Sequence, residues 1–174
     1  MKKIFAWIIL FLLVSCSSPD KSNESKSPEI FGDWAFLDRY GNYNEAQFKR
    51  DTFLIINRFV RQPRKVRYSL HGDSLWVAPG NSSDSLKPAA RLSWIDHTHF
   101  VITDPFTSDT FERIREQDYT LSKIDPLADS MLYWPAFYKR YENFLIDRGI
   151  ITSDEAEMFR KQHQIPEDIR EKLH

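Results

Sequence analysis

The sequence predicts a mainly β chain with an α tail. An antiparallel meander of about eight short strands closes into a small barrel or folds as a sandwich, and two or three C-terminal helices follow. Three observations lead there. From Ile30 to about Arg115, apolar and polar residues alternate with period two between frequent turn signals. After Asp125-Pro126 the apolar spacing becomes helical. No glycine-rich phosphate loop is present and no helical stretch alternates with the strands, which excludes an α/β nucleotide-binding fold. The 174 residues suit one domain with an appendage, and a 41% hydrophobic, 14% aromatic composition supports a packed core.

The chain opens with Lys2 and Lys3, an unbroken apolar run from Ile4 to Val14, then Ser15-Cys16. A positive start, a short apolar stretch and a small residue before a cut are the parts of a secretory signal. The run is shorter than the ~20 residues that a bilayer-spanning helix needs. Leu13-Val14-Ser15-Cys16 resembles the lipobox of bacterial lipoproteins, which implies cleavage between Ser15 and Cys16 and lipidation of Cys16 by diacylglycerol and a fatty acid such as palmitate. Several buried acyl chains, at about 0.8 kcal/mol per CH₂, hold a protein stably at a membrane. The resemblance places the protein in a bacterial cell envelope. Ser17 and Ser18, with no Asp directly after the cysteine, resemble lipoproteins sent to the outer membrane rather than the inner. Residues 1–15 are thus read as signal peptide and 16–29 as lipidated cysteine and tether. The segment from Ser17 to Glu29 has no large apolar side chain and cannot bury anything.

Cys16 is the only cysteine, so the folded part holds together without a disulfide. The net charge of −1 gives no basic domain of the kind nucleic acid attracts.

In the segment read as the β domain, 30–115, Trp34 and Phe36 alternate with Asp33 and Ala35. Stretches 45–49 and 52–57 supply the next strands. Val66, Tyr68 and Leu70 alternate with Lys65, Arg67 and Ser69, and Gly72-Asp73 turns the chain into Leu75-Trp76-Val77. A hairpin at Asp96-His97-Thr98 joins 91–95 to 99–103, and 107–115 forms the last strand. Trp34, Trp76, Trp94, Phe100 and Phe111 are expected in the core.

Gly32-Asp33-Trp34 resembles the Gly-x-Trp opening of lipocalins, and residues 68–75 and 110–114 are similar to segments of bacterial lipocalin-like lipoproteins. The resemblance implies a barrel-base motif of Gly32, Trp34 and an arginine from the end of the meander, Arg113 or Arg115. It also implies a small apolar ligand or lipid inside the barrel. A second motif of the Thr-Asp-Tyr kind is absent from the chain, and the strands run about six residues, near 20 Å. A small eight-stranded barrel either holds one small ligand or fills itself with side chains, and short strands favour filling.

The remainder, 116–174, is read as the helical segment. Asp125 is positioned to cap and Pro126 to start a helix, and Pro135 to kink or restart it. Phe137, Tyr138, Tyr141, Phe144 and Leu145 share one face, Gly149 caps the end, and Thr152 with Glu155 forms a capping box for a helix to about His163. A last short helical stretch is expected from Ile165. Residues 144–155 resemble the short helix-turn-helix association segments at the C-terminus of bacterial membrane-associated proteins. The alternative is that these helices pack on the barrel.

Candidate chemistry is sparse. Asp96, His97, His99 and Asp104 lie close in sequence, but His97 falls in a turn, and a zinc site needs three or four converging ligands. No Gly-x-Ser-x-Gly elbow is present. No catalytic residue, metal or cofactor is assigned. Arg58, Arg61, Arg64, Lys65 and Arg67 place five positive charges in ten residues, suited to anionic headgroups, to lipopolysaccharide phosphates or to an acidic partner; a solvated strand edge would look the same. The expectation is a membrane-anchored envelope lipoprotein, non-catalytic, acting in interaction or assembly with envelope proteins. The alternative is a binding module for a small apolar ligand. No nucleic-acid partner is expected.

Overall fold

The structure, a computed structural model, describes residues 29–78, 85–115 and 119–162. Signal, lipidation site, the tether up to residue 28 and the stretch from Ile165 lie outside the described residues. Eight strands form a closed antiparallel up-and-down barrel: β1 Gly32–Leu37, β2 Tyr43–Phe48, β3 Thr52–Asn57, β4 Arg64–His71, β5 Ser74–Val77, β6 Lys87–Trp94, β7 His99–Thr103 and β8 Ser108–Arg113. Each strand pairs with its sequence neighbours, and β1 closes on β8 through Trp34–Arg113 and Ala35–Glu112. Two helices follow, α1 Ser130–Asp147 and α2 Ser153–Gln162. This is the barrel of the predicted fold class rather than the sandwich.

Strict alternation puts Trp34, Phe36, Ala46, Phe48, Leu92, Phe100 and Phe111 in one core cluster inside the barrel. The rings interlock: Trp34 lies 4.4 Å from Phe100, Phe36 4.3 Å from Phe111, and Phe48 5.1 Å from Phe53. Trp76 departs from the expected core. It pairs with Ser69 between inward Leu75 and Val77, so its indole projects outside, where it meets His71 with ring centroids 5.2 Å apart.

A second cluster forms outside the barrel. The outward residues Ala35, Tyr43 and Ile56 of β1–β3 pack against Tyr133, Phe137, Tyr141, Phe144 and Leu145 of α1. The outer face of β2 is therefore buried as well as its inward face of Asn44, Ala46 and Phe48, so all six of its residues are buried. At its centre Glu45 is 0% exposed. It accepts from Arg140 Nε at 2.7 Å and Nη2 at 3.0 Å, from Tyr43 Oη at 3.0 Å and from Tyr133 Oη at 2.7 Å. Four donors replace the water that burial removes. Burial alone would lower the Arg140 pKa, but the adjacent carboxylate raises it further, and the guanidinium stays charged.

α1 starts at Ser130, four residues later than Pro126. The intervening chain makes its own turn, with Asp125 Oδ1 accepting from Leu127 N–H at 2.8 Å and Asp125 O from Asp129 N–H at 2.9 Å. Pro135 lies within one continuous helix. The end is a Schellman motif: Gly149, at φ 64°, donates to Ile146 O and Ile150 to Leu145 O. Thr152 and Glu155 form the reciprocal capping box, with Thr152 N–H to Glu155 Oε2 at 2.7 Å and Glu155 N–H to Thr152 Oγ1 at 3.2 Å. α2 folds back on α1 through Phe159 against Tyr141 and Arg160 against Glu142. These helices pack on the barrel side.

Candidate functional site

The up-and-down order gives the barrel two ends. The chain enters at the base, which also carries the turns at 49–51, 72–73 and 95–98; the loops 38–42, 58–63 and 104–107 lie at the other end. The base is sealed. Arg113 lies 4.2 Å over the Trp34 ring, and its Nη1 and Nη2 donate to the carbonyls of Phe31 at 3.0 Å and Glu29 at 2.7 Å. Trp34 Nε1 donates to Ile30 O at 2.7 Å. Gly32 has φ +120°, and a Cβ there would stand 3.0 Å from Arg113 Nη1, so glycine allows this approach. Gly32, Trp34 and Arg113 are thus one assembly, whose partners are the entering strand and the core.

The opposite end is built differently. Three neighbouring loops repeat one device: an Asx residue whose Oδ1 accepts the N–H two residues on, with an aromatic residue at that position. Asp38 accepts from Tyr40 at 2.9 Å, Asn57 from Phe59 at 2.9 Å, and Asp104 from Phe106 at 2.6 Å. A second N–H reaches the same oxygen each time, from Asn42, Val60 and Thr107. These turn bonds hold the Asp38 and Asp104 carboxyls below their ordinary pKa, more than offsetting burial at Asp38. The turns lift the rings out of the barrel: Tyr40 is 72%, Phe59 66% and Phe106 85% exposed. Asn57 Nδ2 donates to Asn44 Oδ1 at 2.9 Å and Asn44 Nδ2 to Asn42 O at 2.7 Å, tying two of the loops together.

Cations accompany the rings. The Arg39 guanidinium lies 4.7 Å over Tyr40 and that of Arg58 4.5 Å over Phe59. Arg61 lies 5.4 Å over Trp134 on α1 and, with Pro126, Leu127, Ser130 and Met131, lines a cleft of about 390 Å³. Val60, Leu127 and Met131 are exposed around it. The structure therefore divides the basic stretch. Arg58 and Arg61 join the aromatic end. Arg64, at the start of β4, is in phase with inward Val66 and Tyr68 but exposed, whereas Lys65 and Arg67 point out from the barrel wall.

The remaining chemistry does not converge. Asp104 lies at the loop end, away from Asp96 and His99 at the base. Both Asp96 oxygens and the Thr98 hydroxyl meet the same His99 nitrogen, Nδ1, at 3.0–3.1 Å, whereas a nucleophile–base–acid relay uses both ring nitrogens. The Thr98 hydroxyl and N–H, then His99, hold Asp96 well below the usual carboxylate range. Among the described residues no three of His, Cys, Asp and Glu are grouped to hold a metal ion. A cleft between α1 and β8, floored by Ala35, Tyr43 and Phe144, measures about 190 Å³, below the ~300–1,000 Å³ of ordinary ligand sites. Among the described residues no helix is long and apolar enough to cross a membrane.

Sequence reasoning missed Tyr40, Phe106 and Arg39. The signal was the triplet Asx-x-aromatic at 38–40, 57–59 and 104–106; the same triplet at 51–53 and 109–111 runs into strands and buries its ring. Compared with family models, curated proteins and solved structures, the chain gives no match.

Proposed function

We propose that this protein is a bacterial envelope lipoprotein, held at a membrane by lipid on Cys16, whose barrel is a non-catalytic docking module working through its loop end. The observation that carries the docking reading is the three-fold recurrence of an Asx-held exposed ring on adjacent loops, two of them with an arginine stacked on the ring. Exposed apolar side chains gathered in one place mark contact surfaces, and aromatic residues with arginine are the side chains that dominate them. The lipobox-like Leu13–Cys16 and the polar tether supply the anchor. A ligand-carrying role is less favoured because interlocked rings occupy the base of the barrel interior.

Photo-crosslinking in intact envelopes tests this reading. Benzoylphenylalanine at positions 59 and 106 is expected to give adducts, to lipid or to protein, and at positions 50 and 73 of the base turns none. Equal labelling at both ends would refute the docking face. Mass spectrometry of the N-terminal peptide reads the anchor directly: Cys16 should carry diacylglycerol and an acyl group, and an unmodified Cys16 would refute it.

A further inference from the structure

Building on the lipid-anchored reading, we infer that the loop end of the barrel rests on an anionic bilayer surface, its rings in the headgroup layer and its arginines on lipid phosphates. The contact set is Tyr40, Phe59 and Phe106 with Arg39, Arg58 and Arg61.

The pairing is what a bilayer interface selects. An aromatic ring is apolar in its body, and a guanidinium stacked on it can reach past the ring to a phosphate oxygen; this combination is favoured where water meets lipid. Arg39 and Arg58 lie on the rings that their own turns raise, and Arg61 lies on Trp134 beside the exposed Leu127 and Met131. Among the described residues, the acids of the three loops are engaged within their own turns, while Asp125 and Asp129 stand exposed beside the Arg61 cleft. Asp38 and Asp104 accept turn N–H groups. Asp109 faces the barrel interior opposite Ile102, where burial, then Asp104 and Asp38, raise its pKa and oppose its charge. At the three loops phosphate thus meets guanidinium groups beside carboxylates that turn N–H groups already engage. The base presents Arg50, Asp51, Asp73 and His97 on its turns, with Ile95 and Phe31 as exposed apolar residues, and its ring-and-cation pairs, Arg113 on Trp34 and Arg148 on Phe144, use buried rings.

The tether permits this placement although it enters at the base. Thirteen residues run from Ser17 to Glu29, a maximal reach of roughly 40 Å at ~3.3 Å per residue. A six-residue strand spans about 20 Å. The chain can therefore run the height of the barrel with length to spare, leaving anchor and loop end on one bilayer. The anchor holds the loop end at high local concentration near lipid, so modest surface affinity suffices.

Hydrogen exchange on the lipid-bearing chain, extracted from membranes and reconstituted into vesicles, tests the placement. With about 30% phosphatidylglycerol in phosphatidylcholine, amides of 39–42, 58–61 and 104–107 should exchange about tenfold more slowly than in phosphatidylcholine alone. Amides of 50–51, 72–73 and 96–98 should not change. The slowing should vanish at about 1 M salt, where the Debye length is ~3 Å, and in a Tyr40→Ser/Phe59→Ser/Phe106→Ser variant whose changes touch only exposed positions. A vesicle-bound chain with unprotected loops, or with its base turns protected, overturns the placement while leaving the anchor standing. So does protection that requires added envelope protein, which would identify a protein partner. A chain that does not stay on vesicles at all overturns the anchor and this inference with it.

Discussion

Replacing Arg140 with methionine removes the cation beneath α1 while keeping most of its apolar stem, and so leaves Glu45 as an uncompensated charge that is 0% exposed. Losing one partner of a buried ion pair costs about 3–5 kcal/mol. Tyr43 and Tyr133 continue to donate to Glu45 at 3.0 and 2.7 Å, which places the expected loss near the lower figure. Glu45→Gln is expected to cost a similar amount, because it leaves the guanidinium of Arg140, 6% exposed, without its carboxylate. The double variant removes both charges and keeps the tyrosine donors. It should lie within about 1 kcal/mol of the parent, a coupling energy of about 5 kcal/mol. Urea unfolding followed by tryptophan fluorescence near neutral pH measures all three. A 3 kcal/mol loss moves the midpoint by roughly 1–3 M at the slopes usual for small proteins. Additive losses in the double variant, or an Arg140→Met cost below about 1 kcal/mol, would refute the view that this network locks α1 to the barrel.

Two further outcomes follow from the geometry. Gly32→Ala should destabilise by about 1–3 kcal/mol, because φ +120° is strained for any side chain and the new Cβ meets Arg113 Nη1 at 3.0 Å. Calorimetry should show a Tm lowered by roughly 2–4 °C per kcal/mol at this chain length, and an unchanged Tm would contradict the close approach. Alkaline pH should weaken the fold. Burial and then the Glu45 charge raise Tyr43 and Tyr133 well above 10.0, and burial with Asp51 pushes Tyr68 up to about 12. Unfolded tyrosines lose protons at ordinary values while folded ones keep them, so stability is complete below about pH 10 and falls as pH rises toward 12. The urea midpoint should drop between about pH 9 and 11, less steeply in Tyr68→Phe; a flat profile would count against it.

Much of the architecture follows from local pattern. Alternation of Val66, Tyr68 and Leu70 defined a strand, Gly72-Asp73 its turn, and Thr152 with Glu155 a helix start, because each depends on bonds among residues a few positions apart. The Arg113–Trp34 pair was legible through resemblance, since the stack joins residues from opposite ends of the meander. Nothing local marks Glu45 as buried, because the cover comes from α1, nearly ninety residues later.

What the sequence by itself determined is therefore the local part: strand and helix positions, caps, turns, and the lipobox-like segment from which an anchor is proposed. Only the tertiary structure decided that the meander closes as a barrel, that Trp76 lies outside it, that α1 buries Glu45 with Arg140, and that the basic stretch divides. It also decided which Asx-x-aromatic triplets become surface. At 51–53 and 109–111 strand pairing turns the ring inward, whereas at 38–40, 57–59 and 104–106 the pairing has ended and the Asx oxygen takes the freed N–H. The difference is where the ladder stops, and that depends on partners distant in the chain.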